Sequence, residues 1–74
     1  MGLGMDKERD ELLEDRAAFI AGEIGGAVVD LIIEGVVIDR DAIVGKLEAK
    51  RRSVGNVIHK GLLRDSAEFV RKGR

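Results

Sequence analysis

The stretch Arg16–Glu34, RAAFIAGEIGGAVVDLIIE, decides the fold. Numbered at 3.6 residues per turn, Leu13, Ala17, Ile20, Ile24, Ala27, Val28 and Leu31 share one narrow stripe. Almost opposite stand Ala18, Gly22, Gly25, Gly26, Val29 and Ile33, small residues first and branched ones last. A line of charge (Arg16, Glu23, Asp30 and Glu34) runs between the two. An ordinary surface helix hides one stripe and wets the rest. This one has two sides to cover, so the pattern predicts an all-α chain that forms a homodimer or docks on a partner.

Gly22, Gly25 and Gly26 lie within five residues of one another, and each costs about 1 kcal/mol relative to alanine inside a helix. Either the helix breaks there, making a bundle of four helices instead of three, or the glycines let a second helix come close. The expected dimer seam is Ile20, Gly22, Ile24, Gly26, Val28 and Leu31.

Working outward, Asp6 is a suitable N-cap, with Glu8, Asp10 and Glu11 where the helix dipole favours acids. Residues 1–5 read as a disordered or cloning-derived tail and residues 6–74 as one helical domain. Gly35 fits the left-handed residue that ends a helix. Val36–Ile38 is then an extended connector whose side chains can plug the core, and Asp39 caps a second helix over 40–52 with Ile43, Val44 and Leu47 inward. Ser53–Asn56 makes a turn, either Ser53 or Asn56 capping a third helix over 57–71. That helix carries one stripe of Ile58, Leu62 and Phe69 and another of Leu63, Ala67 and Val70. A hairpin turning at Glu34–Gly35 is the rival, but the apolar residues do not alternate and Asp30 interrupts its first strand.

A chain of 74 residues sits near the size at which one core only just outweighs chain entropy, and dimerisation commonly supplies the remainder. With no cysteine and one histidine, neither a disulfide framework nor the usual zinc arrangements are expected. No segment approaches the roughly 20 apolar residues of a membrane helix. The amino terminus is acidic where a secretory signal is basic, and Asp6 spoils a myristoylation motif after Met1-Gly2. The expectation is a cytoplasmic protein with no membrane contact. Charge is uneven: residues 1–36 carry nine acids and three bases, residues 37–74 five acids and ten bases.

No set of residues suggests catalysis, a cofactor or a metal site. Gly22–Gly26 has no preceding strand and no Gly-Lys-Ser/Thr, so it is not a phosphate loop. His59 has no carboxylate three or four residues away and reads as solvated; Ser53 and Ser66 have no neighbouring base. The six acids within Asp6–Asp15 lack calcium-loop spacing. Lys50, Arg51 and Arg52 form the best candidate for a phosphate or DNA contact, with Lys46, Lys60, Arg64, Arg71 and Lys72 completing a basic half. No aromatic accompanies them, so base stacking is not expected.

The run Ile24-Gly25-Gly26-Ala27-Val28-Val29-Asp30-Leu31-Ile32-Ile33-Glu34-Gly35, followed by Asp41-Ala42-Ile43-Val44-Gly45-Lys46-Leu47-Glu48 and a closing helix, resembles the YmgB/AriR family of biofilm and acid-resistance regulators, also described as two-component-system connector proteins. The likeness covers about residues 17–70. It implies an all-α homodimer without enzymatic activity that binds a response regulator and modulates biofilm and acid-stress gene expression. Comparison of that family with nucleoid modulators makes direct DNA binding by the basic half the alternative. The triple glycine, the Lys50-Arg51-Arg52 run and the charged amino terminus depart from the pattern, and no site residue is carried over.

Overall fold

The computed structural model describes the backbone of residues 3–73 and the side chains of residues 15–73. Three helices follow one another: α1 Leu3–Glu34, α2 Arg40–Ser53 and α3 Val57–Lys72. Among the described residues there is no strand, and the hairpin alternative does not form. α1 runs unbroken through Gly22–Gly26, so among the described residues there is no fourth helix. It also begins at Leu3, so Asp6, expected as its N-cap, lies within the helix near its start. Within the predicted tail, residues 1 and 2 lie outside the described residues.

The ends are set by local chemistry. Gly35 adopts φ +72°. Its N–H donates to Ile32 C=O at 3.1 Å, and the Val36 N–H donates to Leu31 C=O at 3.0 Å. This crossed pair satisfies carbonyls the helix leaves open, and the left-handed residue it needs is easiest for glycine. Asp39 caps α2, its carboxylate accepting from the Ala42 N–H at 2.7 Å. Asn56, and not Ser53, caps α3, accepting from the His59 N–H at 3.0 Å. Ser53 instead donates through Oγ to the Lys50 carbonyl at 2.9 Å.

The core is small. Ala27, Leu47, Leu63 and Ala67 are fully buried together, ringed by Ile24, Ile43, Val44, Val54 and Val70. Leu31 is also buried, but Val36, Val37 and Ile38, expected to plug the core, are exposed, because the connector runs outside the cluster that the three helices close. Ser66, the one buried polar residue among those described, is satisfied by donating to the Leu62 carbonyl at 2.8 Å. Of the two stripes on α3, Leu63–Ala67–Val70 faces inward, whereas Ile58 and Phe69 remain exposed. At 1.5 Å per residue α1 is about 48 Å long against about 21 and 24 Å for α2 and α3. The two short helices can cover only about half of α1, and the molecule measures 51 × 29 × 20 Å.

Candidate functional site

The charged line on α1 fastens the bundle. Arg16 pairs with Asp65, and Glu23 Oε1 meets His59 Nε2 at 3.1 Å, both on α3. Asp30 Oδ2 meets Lys50 Nζ at 2.7 Å, and Glu34 pairs with Lys46, both on α2. Residues seven apart return to nearly the same azimuth, so one row reaches α3 with its first half and α2 with its second. His59, expected to be solvated, is thus tied to a carboxylate 36 positions away in the chain. On the opposite flank Arg71 bridges Glu48 of α2 at 3.1 Å and Glu68 of its own helix at 2.7 Å. Lys50, by its hydrogen bond and then by its charge, holds the Asp30 carboxyl below its ordinary range, against an opposing desolvation effect. The Arg71 hydrogen bond lowers Glu68 in the same way, and Glu68 and Glu48 raise Arg71.

With that row and the Ile24–Ala27–Leu31 strip turned inward, a further side of α1 is left uncovered by the described residues. Ala17, Ala18, Ala21, Gly22, Gly25, Val29, Ile32 and Ile33 are all exposed, Ile33 at 77%. Around the helix they occupy one side about 160° wide, and no charge interrupts it. A β-carbon added at Gly22 or Gly25 meets nothing within 4 Å, so no contact inside the chain requires glycine there. At Gly26 the neighbour is the Lys50 ammonium, at 3.4 Å. One edge of this side deepens into a groove of about 520 Å³ lined by Ala17, Ile20, Ala21, Ile24, Gly25 and Phe69, with Arg16 at its end. A second groove of about 580 Å³ lies between Phe19 on α1 and Ile58 and Leu62 on α3, edged by Asp15, Arg16 and Asp65. Phe19 is 64% exposed and Ile58 84%, values unusual for such large apolar side chains in a chain with so few buried ones.

The residues expected at a dimer seam divide between inside and outside. Leu31 is buried in the chain's own interior and Ile24 packs on the core. Ile20, Val28 and Gly26 are half-buried, and Gly22 alone of the six is exposed. The exposed apolar face is the opposite one, Ala18 to Ile33, which the sequence also marks as apolar. The basic run divides too. Lys50 is engaged by Asp30 and Arg51 by Glu48 at 2.7 Å, while Arg52 is exposed. Both serines near the candidate chemistry donate to backbone carbonyls. Among the described residues no group of three His, Asp or Glu side chains is placed to hold a metal ion, and no helix is long and apolar enough to cross a membrane.

No family model, curated protein or solved structure matches this chain.

Proposed function

We propose that this chain is a non-enzymatic, cytoplasmic regulatory connector that works as a homodimer. The carrying observation is the uncharged, exposed side of α1 between Ala17 and Ile33, which none of the described residues covers. Its order of sizes suits a second copy. An antiparallel pairing centred between Gly25 and Gly26 sets Ala18 against Ile33 and Gly22 against Val29, small residue opposite branched residue in both halves. Such a contact is self-complementary, as a two-fold interface must be, and the small residues allow close approach of the two backbones. Burying exposed branched side chains there gains about 1.5–3 kcal/mol for each one fully covered.

Dimerisation through this side leaves the Phe19–Ile58–Leu62 groove of each copy facing outward, apolar in its walls and charged at its rim. That is the chemistry of a protein-binding surface: an apolar centre and a polar border. The family resemblance supplies the class of partner, a response regulator, and the process, biofilm and acid-resistance gene expression. The test is affinity capture from nuclease-treated host lysate on the unaltered chain and on Phe19→Asp/Ile58→Asp. A response regulator retained by the first and lost from the second is expected. Recovery of none, or recovery only when nuclease is left out, refutes the connector role.

A further inference from the structure

Two grooves of the bundle meet at Gly61. One is the apolar groove between Phe19 on α1 and Ile58 and Leu62 on α3. The other, of about 520 Å³, lies between the end of α2 and the first half of α3, lined by Arg51, Arg52, Val57, Lys60, Gly61 and Arg64. Gly61 belongs to both linings, so they form one continuous surface along α3. Its apolar side chains stand clear of the core, Val57 being 81% exposed and Ile58 84%.

Glycine is a poor helix former, and Gly61 lies well inside α3. A β-carbon added there meets nothing within 4 Å, so packing inside the chain gives no reason for it. What glycine leaves at this point is a low saddle between the two grooves, where another backbone can come close. Charge then selects what crosses the saddle. The joint lining holds five cations (Arg16, Arg51, Arg52, Lys60 and Arg64) against two acids, Asp15 and Asp65. Asp65 is itself held by Arg16 and reached by Arg64 at 3.4 Å. Arg51 and Arg52 stand in the last turn of α2, and Lys60 and Arg64 lie four apart on α3, projecting from one face.

Given the reading that a partner protein occupies the Phe19–Ile58–Leu62 groove, on which this rests, we infer that the partner presents an acidic amphipathic helix. It crosses α3 over Gly61, apolar toward Phe19, Val57 and Ile58 and carboxylate-bearing on the flank beside Arg52 and Lys60. Laying the apolar stripe of a helix into such a groove is a recurring mode of recognition. The guanidinium fork suits a carboxylate because it donates two parallel hydrogen bonds. A basic flank meets like charge there and is rejected.

The probe is a fluorescein-labelled helical peptide of about 18 residues, with leucines along one face and glutamates along the adjoining one. Fluorescence anisotropy compares it with a twin in which lysine replaces every glutamate. The glutamate peptide is expected to bind at least about tenfold more tightly than the twin. Arg52 and Lys60 are both exposed, and Arg52→Glu/Lys60→Glu is expected to weaken the glutamate peptide at least about tenfold while tightening the twin. Loss of folding cannot produce that exchange of preference. Gly61→Leu is expected to weaken the glutamate peptide at least about tenfold with helix content by circular dichroism retained, since leucine is the better helix former. Lys72→Ala, at the other end of α3, is expected to stay within about twofold. Equal affinity for the two peptides, unaltered affinity in Gly61→Leu, or binding of a DNA duplex or phosphatidylglycerol vesicles without binding of the glutamate peptide would each overturn the assignment. A lysate that yields no response regulator while the peptides behave as described refutes only the connector reading.

Discussion

Replacing Gly22 and Gly25 together by alanine separates what this chain needs for itself from what it needs for association. Each glycine sits inside α1, where alanine is better by about 0.8–1.0 kcal/mol. Neither added β-carbon meets an atom of the chain within 4 Å, so no steric cost offsets that gain. The isolated chain is expected to become about 2 kcal/mol more stable, which for a domain of this size raises the thermal midpoint by about 10 °C. The dimer is expected to respond in the opposite direction. Methyl groups added where two helices cross force the backbones apart, and overpacking of this kind costs about 1–3 kcal/mol, so the dimer constant weakens by about tenfold or more. Urea unfolding at low micromolar concentration reads the first effect, and sedimentation equilibrium over a concentration series reads the second. Stabilisation accompanied by an unchanged or tighter dimer refutes the reasoning, because it places both glycines away from the contact.

Other outcomes follow from the same contacts. Leu47→Ala removes the largest fully buried side chain of α2 and is expected to cost about 2–5 kcal/mol, against a total stability of about 4–11 kcal/mol for a chain of this length; a loss below 1 kcal/mol in urea would contradict the packing described. Asp30 is held below its ordinary range by Lys50, so its contribution is present above the unfolded aspartate value and is lost as pH falls through the lowered folded one. The urea midpoint of the unaltered chain is therefore expected to exceed that of Asp30→Asn at pH 7, with the gap closing in acid; a gap that widens in acid contradicts the pairing. Gly35→Ala places a β-carbon at φ +72° and is expected to destabilise by about 1–2 kcal/mol, measured in the same way.

Much of the fold is legible in the residues because it is set locally. The left-handed turn at Gly35, the Asp39 and Asn56 caps and the three-helix order depend on neighbours within four positions. What the sequence does not disclose is which of the two apolar faces of α1 meets the rest of the chain. Both are apolar, and the choice depends on where α2 and α3 place Leu47 and Leu63. The row Arg16, Glu23, Asp30 and Glu34 carries the clue, since its partners Asp65, His59, Lys50 and Lys46 all lie on the short helices. A charged row matched by opposite charges on later helices marks the side that docks. The His59–Glu23 contact escapes any search limited to helical spacing, because tertiary packing alone brings the two together. In the same way Lys50 and Arg52 look alike in the run, yet one faces α1 and the other stays exposed.

The account's central claim is that the uncharged side of α1 is sheltered by a second copy. Sedimentation equilibrium from micromolar to millimolar concentration tests it most directly, on the unaltered chain and on Ile33→Asp, whose side chain lies outside the core. The unaltered chain is predicted to reach twice its 8.0 kDa mass, and Ile33→Asp to stay folded at the single-chain mass. An unaltered chain that remains at 8.0 kDa throughout that range, fully helical and cooperative in unfolding, would contradict the claim.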